Sequence, residues 1–224
     1  MMGHLKELWT VLSLAAILFS VRSITTMNYK ITKEWNDKSA NHNPASISLS
    51  WQSGNDYVTA IFEAPFFDDP AAPKGEVGRP FPKLWDYEVV EIFFLSSKSQ
   101  EYLEVEVSPH GQHLLLLLKG VRNMIEDELP MNYTASIDLN NKTWKGHAHI
   151  PLAYFPRSVD RMNAYAIHGS NEKRVYEALY PTPEGKFPQP DFHRLEYFED
   201  FDLWKIVTDS SVTIGNYWNQ FPKT

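Results

Sequence analysis

Residues 88–95 read EVVEIFFL, and after a polar turn at 96–100 residues 102–107 read YLEVEV. Successive side chains of an extended chain point to opposite faces, so each segment separates into two sets of side chains. A second turn, at 109–111, leads into a run of leucines at 114–118. Three strand-like segments joined by hairpin-length turns predict an antiparallel β-meander at the centre of the fold.

The rest of the chain extends this pattern with shorter strand-like segments. They lie at 47–51, 57–62, 133–139, 143–150, 163–168 and 174–178. Helical signals are confined to two short stretches, 123–129 and 151–155. Strands that dominate without long crossover helices predict an all-β fold, an antiparallel β-sandwich with few short helices. We expect one domain over residues 27–224, whose tail from Phe187 is rich in aromatic residues and proline.

Composition excludes several classes of protein. The 224 residues carry 21 basic and 28 acidic side chains, a formal net charge of −7. This charge excludes a broad basic surface that binds the phosphates of nucleic acid. The chain has no cysteine, so disulfides, zinc fingers, iron–sulfur clusters and a thiol nucleophile are excluded. Aromatic residues reach 14%, a high share. No phosphate loop, dinucleotide fingerprint or Gly-x-Ser-x-Gly elbow is present.

The N-terminus differs in character from the rest of the chain. Residues 8–21 carry no charge and follow Lys6. As a helix they would span roughly 21 Å, too short for a bilayer core of about 30 Å. The segment therefore predicts a signal peptide over residues 1–23, cleaved near Ser23, and a secreted protein without a membrane span in the mature chain. The alternative is a cytoplasmic protein whose translation starts at Met27.

Two sequons, which begin at Asn132 and Asn141, agree with secretion and predict a glycoprotein.

Three carboxylates of the meander are expected on one sheet face. Glu91 should lie opposite the stretch from Glu104 to Glu106, and like charges in cross-strand contact destabilise a sheet. Candidates for the compensating charge are His113 (opposite Glu106), His147 and His149, Arg174 or a bound cation. Such a face could be a concave surface that binds a ligand or an ordinary solvated outer face. Glu91, flanked by apolar residues on its own face, is expected to be partly buried.

Aromatic residues bracket a proline-rich stretch at 65–82, which cannot form regular structure and predicts a long surface loop. Trp85 sits where this loop meets the first strand of the meander. An aromatic ring beside carboxylates is a common way to hold a sugar, because the ring packs on the C–H face while polar groups take the hydroxyls. The alternative for any tryptophan is core packing.

Several stretches together resemble an uncharacterised animal family named after an open reading frame of human chromosome four. They are residues 80–95 (PFPKLWDYEVVEIFFL), 102–113 (YLEVEVSPHGQH), 166–170 (AIHGS), 174–181 (RVYEALYP) and 190–198 (PDFHRLEYF). The resemblance covers nearly the whole chain from Met27. That family has no established activity, so it implies little about function.

A wider resemblance, to the family-nine carbohydrate-binding modules, implies more. It rests on the order Trp-Asp-x-x-Val-x-Glu-x-Phe, then Glu-Val-x-Pro-x-Gly, then Asp-Phe-His. These motifs fall on Trp85, Asp86 and Glu91, on Glu106 to Gly111, and on Asp191 to His193. Such modules are jelly-roll-like β-sandwiches that hold sugars with aromatic and polar side chains. Trp51 and Trp144 are the candidates for a second stacking tryptophan. No cofactor is predicted, and calcium is left open.

The resulting prediction is a non-catalytic domain that binds a carbohydrate or another small polar, polyol-like ligand. The ligand-binding residues predicted for it are Trp85, Asp86, Glu91, Glu104, Glu106, His110, His168 and Arg174. A hydrolase that uses paired glutamates is a first alternative, because adjacent strands could bring two carboxylates to the required spacing. A protein-interaction domain is a second. The pair His147 and His149 could bind a metal, but the sequence offers no third ligand.

Overall fold

The computed structural model describes residues 24–221. The predicted signal segment, residues 1–23, lies outside this range. Within it, no helix combines the length and the apolar character that crossing a membrane requires.

Thirteen strands form in the described range. They are β1 (Thr26–Ile31), β2 (Lys33–Glu34), β3 (Ala45–Ser50), β4 (Tyr57–Pro65), β5 (Val89–Ser96), β6 (Glu101–Val107), β7 (His113–Lys119), β8 (Met124–Glu126), β9 (Asn132–Asp138), β10 (Thr143–Pro151), β11 (Arg161–His168), β12 (Val175–Ala178) and β13 (Glu199–Asp200). Short 3₁₀-helical turns lie at Leu84–Asp86, Leu152–Tyr154, Asn171–Lys173, Leu195–Tyr197, Leu203–Lys205 and Asn216–Gln220.

The strands form two antiparallel sheets, which confirms the predicted fold class. The smaller sheet has the order β1-β3-β4-β10-β9. The larger sheet has the order β2-β12-β11-β5-β6-β7-β8, with β13 paired to β11. The three strands of the predicted meander, β5, β6 and β7, lie next to one another in this larger sheet. They also place Glu91 directly opposite Glu106.

The main core lies between the two sheets. Val90, Ile92 and Phe94 of β5 point into it, where they meet side chains such as Phe62 and Leu49 of the smaller sheet. Burial of one such side chain contributes about 1.5–3 kcal/mol.

The outer face of the larger sheet is also buried, because irregular segments cross it. Phe93 and Leu116 point outward from the sheet and pack against Leu84 from the loop before β5 and against Phe192 and Phe198 from the C-terminal part. A strand with apolar neighbours on both faces has a nearly continuous apolar sequence. This explains the apolar run of β5, which Glu91 interrupts.

One local prediction is wrong and another is confirmed. Residues 123–129 do not form a helix: Met124–Glu126 is the edge strand β8, in which Met124 pairs with Leu118 of β7. Hydrogen bonding to an existing sheet edge overrides a weak local helical preference in so short a segment. Residues 152–154 do form a helical turn, inside the predicted stretch 151–155.

Candidate functional site

A cleft of about 350 Å³ opens on the outer face of the larger sheet. Glu91 of β5 and Glu104 of β6 lie at its floor with Phe93. One wall carries Trp85, Asp86 and Arg174, and the opposite wall carries Arg122, Asp191 and His193. Strands of the rigid sheet therefore position the carboxyl groups, while the loops that cross the sheet supply the walls.

Three glutamates share this face because of the strand register. Glu91 pairs with Glu106, and Glu104 stands two residues along the same strand. Their exposed fractions are only 2%, 0% and 3% in that order. At least one oxygen of each has no hydrogen-bond partner among the described residues. Three carboxyl groups this deeply buried cannot all ionise at low cost.

Burial dominates the protonation of the three glutamates. It raises the pKa of Glu104 to about 8, and it raises the pKa values of Glu91 and Glu106 well above their ordinary range. The nearby carboxyl groups of Glu91 and Glu104 raise the pKa of Glu106 further, because like charges repel. Arg174 acts against burial at Glu91 and lowers its pKa. At neutral pH the floor therefore consists mainly of protonated carboxyl groups, which both donate and accept hydrogen bonds.

Arg174 fixes the wall that carries Trp85. Its guanidinium donates to the backbone carbonyl of Trp85, to that of Asp86 at 3.1 Å, and to the hydroxyl of Tyr176 at 3.1 Å. Leu84, which is fully buried, anchors the same turn from below. Trp85 itself keeps 38% of its surface exposed. The indole thus sits on a rigid support and faces the solvent.

The opposite wall is held by a chain of hydrogen bonds. Arg122 pairs with Asp191 at 2.6 Å. The backbone N–H of Arg122 donates to the Tyr102 hydroxyl, which lies 2.8 Å from Nδ1 of His193. The hydroxyl has accepted one bond, so its own proton can go to Nδ1. Burial lowers the pKa of His193 to about 4, so the ring is neutral at pH 7.

The structure brings together most of the residues predicted to bind a ligand. Trp85, Asp86, Glu91, Glu104 and Arg174 all line the cleft. Glu106 is sealed beneath it, beside the other two glutamates.

Two predicted residues lie elsewhere. His110 packs edge-on against Phe66, with Nε2 4.0 Å from Asp68. His168 cannot reach the cleft, because its neighbour Ile167 lines it and alternate residues of β11 point to opposite faces.

Other expectations about charges and rings are corrected. His113 pairs with Val107, not Glu106, and its ring lies near Tyr133 on the side between the sheets. His147 and His149 belong to β10 in the smaller sheet and cannot compensate the glutamates. Trp51 and Trp144 are buried in the main core, so neither is a second stacking residue.

Several cleft residues were missed as individual binding candidates. The motif Asp191 to His193 did point to three of them, through the resemblance to carbohydrate-binding modules. Met124 begins the edge strand β8, which was predicted as a helix, and Arg122 lies two residues before it, so no signal in the sequence placed them here.

Comparison with known proteins adds the fold relationship. No protein-family model matches the chain. A crystal structure from Bacteroides uniformis, named a "putative carbohydrate-binding protein", superposes with a TM-score of 0.56 and 14% sequence identity, covering 80% of this chain and 87% of that one. At this identity the likeness shows the fold alone.

Closer relatives are found among animal proteins. "UPF0462 protein C4orf33 homolog" of Danio rerio is 48% identical over 189 residues, which is 83% of this chain and 94% of the relative. The protein of the same name from Mus musculus is 47% identical and is covered over 97% of its length. The Homo sapiens protein, "UPF0462 protein C4orf33", is 46% identical over 197 residues. The chain therefore belongs to the UPF0462 (C4orf33) family.

Proposed function

We propose that the cleft binds a carbohydrate or a small polyol-like ligand, and that the domain acts by binding and not by catalysis. The observation that carries this proposal is the half-exposed Trp85 ring beside the buried carboxyl groups of Glu91 and Glu104. An aromatic face can pack on the C–H face of a sugar ring. The carboxyl groups can then bond its hydroxyls.

The protonation of the floor supports a neutral ligand. A protonated carboxyl group offers one donor and further acceptor capacity, which matches a hydroxyl group. Raised pKa values at Glu91, Glu104 and Glu106 mean that the floor of the cleft carries little negative charge at neutral pH. A polyol therefore suits this floor better than a free cation does.

The size of the cleft supports a small ligand. Its 350 Å³ lies at the lower end of the range for small-molecule sites, about 300–1,000 Å³. That volume suits a mono- or disaccharide. The name of the Bacteroides uniformis protein points in the same direction, through a shared fold.

A glycan array tests the proposal. The purified protein is screened with and without calcium, beside Trp85→Ala and the matched control Trp204→Ala. Trp204 is 46% exposed and is not among the cleft residues, so its loss removes a comparable surface ring without touching the cleft. We expect a signal that Trp85→Ala abolishes and Trp204→Ala preserves. A blank array from folded protein, or equal signals from the two variants, would contradict the proposal.

A hydrolase is the second candidate, and one observation favours it. Glu104 has a pKa of about 8 inside the cleft, as a general acid needs. Hydrolysis also requires an ionised partner, and burial raises the pKa of Glu91 and Glu106 as well. We therefore expect no turnover of aryl glycosides. Turnover that is lost in Glu91→Gln and in Glu104→Gln, with folding intact, would establish the enzyme instead.

Secretion and N-glycosylation remain part of the proposal. Asn132 and Asn141 are both exposed, so both sequons are accessible at the protein surface. We expect protein from the medium of animal cells to begin near Ile24 and to lose mass on enzymatic deglycosylation. An intact N-terminus on protein that stays inside the cell would contradict both expectations.

A further inference from the structure

A second cluster of polar side chains lies on the other face of β11, at one end of the sandwich. It contains His42 from the segment between β2 and β3, His168 from the end of β11 and Glu177 from β12. The Nε2 atoms of His42 and His168 are 3.2 Å apart, and that of His42 is 3.4 Å from Oε1 of Glu177. Nε2 of His168 is 4.0 Å from Oε2 of Glu177.

Burial raises the pKa of Glu177 to about 8, and once this carboxyl group is ionised, as a metal ligand must be, the protons available cannot satisfy the three groups. Nδ1 of His42 lies 2.9 Å from the backbone carbonyl oxygen of Asn43, which can only accept, so Nδ1 carries the proton of the neutral ring. Nε2 of His42 then carries no proton, and its lone pair faces both His168 and Glu177. One proton on His168 can bridge the two rings, but it leaves the carboxylate without a donor.

In the described part of the chain, Glu177 lacks a hydrogen-bond donor for one of its carboxylate oxygens. Its side chain is only 1% exposed, and within residues 24–221 its Oε1 atom has no hydrogen-bond partner. A buried acceptor without a donor is costly, and here it is aimed at two imidazole nitrogens. A cation placed among the three groups would satisfy all of them at once.

From this geometry we propose that His42, His168 and Glu177 bind a divalent transition-metal ion, with zinc as the preferred ion. In a tetrahedral zinc site with bonds of about 2.0–2.2 Å, ligand atoms stand roughly 3.3–3.6 Å apart. The observed separations of 3.2, 3.4 and 4.0 Å need only small side-chain movements to meet that geometry.

The surroundings of the three side chains support the assignment. The bond from His42 to the Asn43 carbonyl fixes the ring orientation, as the outer hydrogen bonds of metal-binding histidines do. Phe67 stacks on the ring of His168 at 3.6 Å and packs edge-on against His42 at 5.0 Å, which holds both rings in place.

The space beside the cluster favours four coordination. A cavity of about 10 Å³ lies next to His168 and Glu177 and is also lined by Glu88. That is roughly the room for one water molecule. An ion with three protein ligands would complete a tetrahedron with that water.

Metal binding to the full chain tests the assignment. The protein is purified without a histidine tag, stripped with a chelator and titrated with zinc by calorimetry. The double variant His147→Ala/His149→Ala is the matched control, because it removes the other close pair of histidine rings, 5.0 Å apart on the smaller sheet. We expect one zinc per chain in the wild type and in this control. We expect affinity to fall on the order of 100-fold or more in His42→Ala and in Glu177→Gln.

Cobalt reports the geometry independently of affinity. An intense visible absorption of the cobalt-loaded protein, lost in Glu177→Gln, is expected for a four-coordinate site. Glu177→Gln keeps the shape of the side chain, and circular dichroism checks that each variant folds. No stoichiometric zinc binding by the wild type would overturn the proposal. Binding lost only in the His147/His149 control would do the same, as would a weak six-coordinate cobalt spectrum.

Discussion

Strands β6 and β10 have the same alternating pattern but opposite surroundings. In β10 the side chains of Lys145 and His147 point outward from the smaller sheet and are exposed. In β6 the side chains of Glu104 and Glu106 also point outward, from the larger sheet, and both are buried. The difference comes from the segments that cross only the larger sheet. Alternation therefore identifies the two faces of a strand, but what covers each face decides whether a polar residue is solvated.

The largest expected effect tests whether the outer face of the larger sheet is a true second core. Phe93→Ala should lower the free energy of unfolding by about 3–5 kcal/mol, because Phe93 is fully buried there. His147→Ala, at an outward position of β10, should change it by less than about 0.5 kcal/mol. Denaturant unfolding of both variants measures the contrast. Similar values for the two would show that the covering segments do not pack as described.

The next effect concerns the protonation of the buried glutamates. A carboxyl group with a raised pKa in the folded state contributes its full stability below the pKa of the unfolded chain, 4.5, and loses it as pH rises through the folded value, about 8 for Glu104. Between about pH 5 and about pH 9 the wild type should therefore lose about 1–3 kcal/mol of stability more than Glu106→Gln, which cannot ionise.

Glu63→Gln is the matched control for this pH dependence. Glu63 is exposed on the outer side of β4 and pairs with Lys145, so it lacks the buried surroundings of Glu106. Stability measured at several pH values should follow the wild-type curve in this variant. If Glu106→Gln also follows that curve, the three glutamates are solvated and the comparison of the two faces fails.

The smallest expected effect is on the exposed face itself. Lys145 and Glu63 form an ion pair at 2.6 Å, with both side chains 56% exposed. A double-mutant cycle with Lys145→Ala and Glu63→Ala should give a coupling free energy below about 1 kcal/mol, because water screens exposed pairs. A coupling of several kcal/mol would mean that this face is covered in solution.

The sequence predicts the fold well because its strongest signals are local. Alternating residues and turn residues identified the meander and placed its glutamates on one face. The register confirms that Glu91 lies opposite Glu106. The burial of that face could not be predicted, because the covering segments around Leu84 and Phe198 are irregular, and the one around Phe198 is also far away in sequence. The edge strand β8 was missed for a related reason, since its pairing with β7 is tertiary.

The candidate site was predicted in part, and the errors share a cause. Trp85 and Glu91 were assigned correctly to one place because they lie close together in sequence, at the start of the meander. His168 was misplaced with respect to the cleft because it sits one residue beyond a cleft residue, and one residue changes the face. His42 gave no signal at all, because its partners His168 and Glu177 are more than a hundred residues away in sequence.

The bond from Arg174 to the carbonyl of Trp85 joins residues that are 89 positions apart. The cleft therefore does not belong to the meander alone, although its floor does. A chain that ends before Arg174 would keep the three glutamates but lose the support of the tryptophan wall. One that ends before Asp191 would lose two residues of the opposite wall, Asp191 and His193. During synthesis, the cleft can be completed only after almost the whole domain has been made, so a truncated product would lack the complete site that is proposed to bind a ligand.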